Sequence, residues 1–438
     1  MEENISRPPI KVLHVLAKSY PSLNGYSVRS HEIIKAQKKM GSVSPIVITS
    51  PFYPEILEMG EYVEIDGIPY NRTFPNQKKV LMPNWGNFPR LLKFILYPVR
   101  RFEDLIRERR LMKEFQAEIE NISLEDNPDI LHAHTPFKVG IPTMRAARKM
   151  GKPFIYEVRG FWEESAIARG RFSKWNPRYW RFRFMETKTM RGAEVVFCLS
   201  KTMKYELMKR GVKEEKISII RNGAPSDYLE GGEEKKSFEG EENNDSLLAI
   251  KNIKKSNKII GYVGSIQVYE GLENLIEVIE MMVGDGKRVH LLVVSNDENK
   301  SFLEDICLEK NINIHVSIIG PVSRDDIRSY YEQIDVIVIP RDSDSKMANV
   351  VTPLKPMESL ALGIPLIISD TPAIRELVGE GTATLFDSSN TSELYEKLDS
   401  VLQNKDEAAK KVELGIEWIR RNGTWDVSAA KTLVEYNL

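Results

Sequence analysis

The densest chemistry in the sequence lies in DVIVIPRDSDSKMANVVTPLKPMESLALGIPLIISD, where Arg341 directly follows an apolar run and Lys355 and Glu358 stand three positions apart on one helical face. Two cations near a helix start suit phosphate oxygens, and a carboxylate beside them suits ribose hydroxyls. A surface ion pair would account for Lys355 and Glu358, but not for the adjoining Arg341 or for Pro353 and Pro356. Asp342-Ser343-Asp344 has the spacing of a divalent-ion holder, yet such triplets arise by chance in a charged chain, and the expectation here is that no metal binds. Upstream, GYVGSIQVYEGLENL gives a strand, a glycine turn and a helix, with Gly264 and Ser265 at the strand end and Gly271 at the helix entrance, where backbone amides can face a diphosphate.

The first half offers three further strand ends. Gly25, between Asn24 and Tyr26 before a helical run, lets amides approach a phosphate or sugar; an ordinary Asn-Gly turn is the alternative. The surrounding sequence lacks G-x-G-x-x-G, which counts against a nicotinamide or flavin enzyme. In DILHAHTPF, alternation puts His132 and His134 on one face, with His134 closing the strand where a neutral imidazole can reach a substrate hydroxyl, whereas His132 reads as a core residue. No third ligand for a metal suggests itself nearby. In YEVRGFWEE, Arg159, Trp162, Glu163 and Glu164 crowd a third strand end, as a polyhydroxylated ligand would require or as a salt-bridged surface loop would show.

What must position these groups is a series of short apolar runs alternating with helical spacing. Val12–Leu16, Ser44–Thr49, Ile130–His134, Phe154–Val158 and Val195–Leu199 read as strands in the first half; Ile259–Val263, His290–Val294, Ile314–Ile319, Val336–Ile339 and Leu366–Ser369 do so in the second. Runs without polar alternation are strands covered on both faces, hence parallel α/β sheets. A length of 438 residues fits two such domains. They are expected at 9–228 and 258–415, joined by a polar connection at 229–257 rich in Glu, Lys, Gly and Asn, with the aromatic C-terminal stretch at about 416–438 packing back on a domain.

Composition removes other classes. Lys+Arg 62 against Asp+Glu 63 leaves a net charge of −1, which gives no global attraction for nucleic acid. Two cysteines, Cys198 and Cys307, each in an apolar strand-like run, exclude a disulfide scaffold or a cysteine-rich zinc site. The N-terminal residues lack the basic start and apolar centre of a signal peptide, and the nearest thing to a membrane span is the brief LLKFILYPV from Leu91 to Val99, so a cytoplasmic protein is expected. One stretch leaves two readings open. From Arg169 to Arg191, arginines and lysines interleave with Phe172, Trp175, Tyr179, Trp180, Phe182 and Phe184, either as a surface for anionic lipid at the inner membrane face or as a helix whose aromatics are core.

These motifs, in their order, resemble the family-four retaining glycosyltransferases of the GT-B fold: the Gly25 loop, DILHAH, IIRNGAP near Asn222-Gly223, GYVGS, DVIVIP and the Glu358 helix running into ALGIPLIISD. YEVRGFWEE, GSIQVYEG and VTPLKPMES are similar to a subgroup found in bacterial exopolysaccharide and surface-glycan assembly. The resemblance implies two Rossmann-like doubly wound domains facing a cleft, with the last helix crossing back to the first. It implies transfer from a UDP- or GDP-linked sugar to a glycan or lipid-linked acceptor, with no cofactor. By the same resemblance Glu358 holds the ribose, His134 contacts the donor sugar, Gly25, Gly264, Ser265, Arg341 and Lys355 serve the donor, and Arg159, Trp162 and Glu163 fall on the acceptor side. The sequence departs from the family pattern at three positions: Val350 stands where a first glutamate is usual, Ser265 where an arginine is, and Glu270 where a lysine is. Arg341 and Lys355 can replace the two missing cations. Otherwise the chain is a catalytically silent glycan- or lipid-binding partner, and a sugar-nucleotide epimerase of the same architecture is the other enzyme reading.

Overall fold

The computed structural model describes residues 8–20, 22, 24–52, 62–74, 97–230, 245–295 and 300–437. Most of the Leu91–Val99 run and most of the polar connection therefore lie outside the described residues. Each of the ten runs from Val12–Leu16 to Leu366–Ser369 contains a strand, Ile314 and His315 alone falling in a 3-10 turn ahead of theirs. The first sheet contains β1 (Ile10–Leu16), β2 (Val43–Thr49), β3 (Tyr62–Ile65), β4 (Ile68–Arg72), β5 (Ile130–His134), β6 (Phe154–Glu157), β7 (Val195–Cys198) and β8 (Ile217–Ile219), in the order β3-β4-β2-β1-β5-β6-β7-β8. All neighbours are parallel apart from the β3/β4 pair. The second contains β9 (Lys258–Val263), β10 (Val289–Val294), β11 (Val316–Ile319), β12 (Val336–Ile339), β13 (Leu366–Ser369) and β14 (Thr384–Phe386), wholly parallel, in the order β11-β10-β9-β12-β13-β14.

The strands that escape a sequence reading have a common cause. β3, β8 and β14 are edge strands of three or four residues, and β4 carries Pro69 and Asn71, so none presents a continuous apolar run. One assignment is corrected: Cys307 lies in the helix Lys300–Glu309, its apolar neighbours forming the buried side of that helix. Both thiols are buried and unpaired with each other.

Helices cover both faces of each sheet, and apolar clusters fill the spaces between. Four helices bear on the site: α1 (Gly25–Lys39), α2 (Phe137–Met150), α3 (Lys355–Ala361) and α4 (Trp425–Tyr436). α1 begins where it does because the Asn24 side chain accepts from Tyr26 N and Ser27 N, each at 3.1 Å. α4, at the far end of the chain, crosses back onto the first domain. Gln37 of α1 donates to Thr432 Oγ1 (2.7 Å) and Tyr436 Oη (3.1 Å), and Trp425 packs in the same core as Val12 and Ile34.

The strand order decides where a ligand can sit. In the first sheet the chain reverses its direction of winding between β1 and β5; in the second it does so between β9 and β12. Loops leaving the carboxyl ends of such strand pairs diverge and open a crevice. At that crevice edge stand Gly25, the first residue of α1, and His134, the last of β5, in one domain, and Gly264 and Arg341 in the other.

Candidate functional site

Sheet register assembles the first half of the site. His14 of β1 lies opposite His132 of β5, and His134 opposite Glu157 of β6, so one sheet face carries three imidazoles and a carboxylate in the interior of the domain. A buried carboxylate needs compensation. Arg29, from α1 above the sheet, places Nε 2.6 Å from Glu157 Oε1, and its other nitrogens donate to Asn222 Oδ1 (2.9 Å) and the Ile220 and Arg221 carbonyls. Arg159, two residues beyond Glu157, reaches the same carboxylate with Nε at 3.2 Å and abuts His134 Nδ1 with a terminal nitrogen. His134 Nδ1 is 3.0 Å from Glu157 Oε2, its Nε2 is 3.1 Å from His14 Nδ1, and His132 Nδ1 pairs with Tyr436 Oη at 2.8 Å.

Burial lowers the proton affinity of all three histidines, with Arg159 and a neighbouring imidazole (His132 for His14, His134 for His132, His14 for His134) adding to the effect; His134 falls to about 3, so the rings are neutral at pH 7. Burial alone would raise Glu157, but Arg159, Arg29 and His134 outweigh it and hold the carboxyl well below its ordinary value. The sequence reading missed Arg29, Glu157 and His14. The available signal was a charged or imidazole residue inside an apolar strand, at His14 of IKVLHVL and Glu157 of FIYE. His14 is also the third imidazole that seemed absent: ring nitrogens of His14, His132 and His134 lie within 4.8 Å of one another. Two guanidiniums against one carboxylate already leave this interior with one excess positive charge, which argues against a divalent cation there.

The second half is built at the ends of β9 and β12. Lys355 Nζ lies 2.7 Å from Glu270 Oε2 and also donates to Tyr262 Oη, while Arg341 Nε lies 3.5 Å from Glu270 Oε1 and Arg341 NH1 donates to Val351 O at 2.7 Å. Glu270, buried, is held below its ordinary value because Lys355 and Arg341 outweigh the desolvation that would raise it; the same desolvation lowers Lys355. Arg341 Nε is buried without a hydrogen-bond partner among the described residues. Glu358, one turn along α3, accepts from Tyr331 Oη at 2.9 Å. The Lys355 side chain runs across the face of Gly264, where a Cβ would collide with Lys355 Cε, and Gly264 has φ 145°. Gly264 thus makes room for Lys355.

The two halves meet. A Cβ built on Gly25 finds only Leu354 Cδ1 within 4 Å, at 3.9 Å, and one on Gly160 would meet Tyr26 Oη at 3.1 Å and, from the second domain, Met347 and Val351 at 3.7 and 3.8 Å. Asn222 donates to Thr352 O at 2.9 Å, and Lys346 Nζ lies 3.0 Å from both Glu164 and Glu206. Gly25, Gly160 and Arg341 therefore converge on the Met347–Lys355 segment.

Other expected residues sit elsewhere. His134 is 2% exposed with both ring nitrogens engaged inside the domain, one layer behind the crevice. Glu163 is fully buried, with Oε1 2.6 Å from Arg210 and Oε2 without a hydrogen-bond partner among the described residues. Arg159 is likewise interior, whereas Trp162 is half-buried with its ring 6.1 Å from that of Tyr26. Of the basic aromatic stretch, Tyr179 is core while Trp175, Trp180 and Phe184 are 93%, 60% and 66% exposed. Among the described residues no helix is long and apolar enough to cross a membrane.

Comparison with known proteins gives the family and the fold. Residues 23–228 match the sequence model for Glycosyltransferase Family 4, and residues 243–418 that for Glycosyl transferases group 1. The chain belongs to the family 4 glycosyltransferases. Over 287 residues, 64% of this chain and 69% of the relative, it is 26% identical to the Staphylococcus aureus capsular polysaccharide biosynthesis glycosyltransferase CapM. Its fold is the GT-B fold. Sucrose-phosphate synthase from Thermosynechococcus elongatus superimposes with a TM-score of 0.72 at 15% identity, covering 98% of both chains. Anabaena HepE, solved with UDP-glucose, gives 0.67 at 16% identity over 97% of this chain and 98% of that one.

Proposed function

We propose that this glycosyltransferase is a retaining enzyme that moves a sugar from a UDP- or GDP-linked donor to a hydroxyl of a glycan or lipid-linked acceptor in surface-polysaccharide or glycoconjugate synthesis, without a metal ion. The observation that carries the reading is the buried Arg341 Nε, which lies 3.5 Å from Glu270 yet makes no hydrogen bond among the described residues, beside the second cation Lys355. A buried donor without a hydrogen bond and two neighbouring cations at a strand-end crevice suit a diphosphate. As the sugar–phosphate bond breaks, Arg341 and Lys355 take up the negative charge on the leaving group, the work a metal performs elsewhere. Glu358 holds ribose hydroxyls, and Gly25 and Ser265 let backbone approach the donor. The acceptor hydroxyl attacks from the leaving-group face and passes its proton to a phosphate oxygen, with Trp162 covering the acceptor. HepE's complex with UDP-glucose and the capsular role in CapM's name support the donor class and the pathway.

A silent binding partner is the rival, favoured by Glu270 standing where Lys355 would otherwise be fully available. Donor hydrolysis separates them. UDP-glucose and GDP-glucose are offered with and without chelator. Wild type should turn one over in both conditions and Lys355→Ala should slow it about 100-fold; no wild-type turnover favours the silent partner, and loss with chelator ends the metal-free proposal. We further propose a cytoplasmic location with peripheral contact through exposed Trp175 and Trp180. Sedimentation with anionic vesicles that survives replacement of both by Ala would sink that contact.

A further inference from the structure

Two guanidiniums address Glu157, and charge balance requires only one. Arg29 supplies it at 2.6 Å, with three further acceptors satisfying its remaining nitrogens. Arg159 is built differently. One side of its fork faces the buried pair, with Nε 3.2 Å from Glu157 Oε1 and NH2 against His134. Its NH1 points the other way and donates to two groups in the first turns of α1, Tyr26 O and Ser30 Oγ, both at 2.7 Å. Ser30 Oγ also donates to Tyr26 O at 2.8 Å, which closes a small ring around the helix start. Directly before Tyr26 comes Gly25, where an added Cβ would lie 3.9 Å from Leu354 Cδ1, next to Lys355.

We propose that Arg159 is a positioning residue for sugar transfer, holding the first turn of α1, and with it the Gly25 side of the cleft, at a fixed distance from the sealed His134–Glu157 pair. The proposal rests on the donor lying in this cleft. It reassigns Arg159 from ligand contact to support. Only a planar fork spans a carboxylate on one side and two oxygens on the other; an ammonium of equal charge cannot satisfy both. A shift of about 1 Å in a group that lines the reacting atoms is enough to cost about 100-fold in rate.

The test uses Arg159→Lys, which keeps the charge while Arg29 still neutralises Glu157, and Ser30→Ala, which removes one arm without touching the buried pair. Amide hydrogen exchange of the full chain should accelerate about tenfold at residues 26–30 in Arg159→Lys and about threefold in Ser30→Ala, with α2 unchanged. Turnover of UDP-glucose or GDP-glucose should lose about tenfold in kcat with KM within about threefold, since ground-state nucleotide binding belongs to the other domain. Unchanged exchange at 26–30, acceleration spread equally through α2, or a wild-type kcat in both variants overturns the proposal. Thermal shift with UDP and with GDP keeps the two readings apart. Equal shifts in wild type and Arg159→Lys are expected, and a wild type that responds to neither nucleotide removes the donor reading while the exchange result still decides what Arg159 does.

Discussion

Glu157 in the first domain and Glu270 in the second are the same device in two environments. Each is a buried carboxylate near the carboxyl end of a parallel strand, each faces two cations, and each is kept ionised by them against the cost of burial. The difference lies in what the cations have left to offer. Around Glu157 the main-chain and side-chain acceptors of Ile220, Arg221, Asn222, Tyr26 and Ser30 take up the remaining guanidinium hydrogens, and neither arginine is more than 4% exposed. Around Glu270 the Lys355 side chain retains 12% exposure, and Arg341 Nε, though 3.5 Å from Glu270, makes no hydrogen bond among the described residues. Guanidinium nitrogens that are all engaged fix geometry, although His14 Nε2 and His132 Nε2 of the same cluster make no hydrogen bond among the described residues; a cation with a nitrogen to spare can engage a ligand.

The largest expected effect breaks the first cluster. Glu157→Gln leaves Arg29 and Arg159 without a counter-charge in a sealed interior, where loss of one partner of a buried pair costs about 3–5 kcal/mol. Denaturant unfolding should show a loss of that size. The matching Glu270→Gln should cost less than half as much, because Lys355 can turn toward water. Equal losses would mean that the two sites do not differ as described.

The second effect concerns binding and runs in the opposite direction. Glu270 holds the ammonium that a phosphate would otherwise engage, so Glu270→Gln should tighten UDP or GDP binding by about 1 kcal/mol, a factor of about five, in calorimetry at low salt, with the gain shrinking as salt rises. Weaker binding in this variant would show that Glu270 orients Lys355 rather than competes for it, and the unsaturated description of the second cluster would fall.

How much of this was readable beforehand follows from the range of the interactions. The doubly wound sheets were legible because strands such as Val336–Ile339 are continuous apolar runs, and the strand ends followed from them. Arg341, Lys355 and Glu358 stood out because they are close in sequence. What stayed hidden depends on partners far apart in the chain. Nothing local to Glu157 reveals that Arg29 lies above it, or that His14 occupies the register position beside His132. The sequence likewise marked Glu270 as a departure without disclosing that it would hold both Lys355 and Arg341. His134 was correctly located at a strand end, but which way its nitrogens are used is a property of packing.

The smallest effect comes from a third buried carboxylate, and it tests whether cations are what distinguishes the first two. Glu186 sits beside the same domain core, accepting from Phe137 N at 2.8 Å and Tyr156 Oη at 2.6 Å. No ion pair to it occurs among the described residues. Burial therefore dominates, and its carboxyl is pushed up to about 7 from an ordinary 4.5, the reverse of Glu157. Because the folded value is raised, the native state keeps a proton that the unfolded chain releases. Its favourable contribution is complete below about pH 4.5 and disappears as pH rises through about 7. The neutral histidines act with opposite sign, their contribution being present above about pH 6.5 and lost as acid protonates the unfolded chain. Comparing Glu186→Gln with wild type cancels that background. The amide can accept from Phe137 N and donate to Tyr156 Oη, so the variant should be no more stable than wild type at pH 5 and more stable by less than about 1 kcal/mol at pH 8, a rise of a degree or two in Tm. A difference that does not change between pH 5 and pH 8 would mean Glu186 is already ionised at the lower pH, and that burial without a cation is not what sets it apart from Glu157.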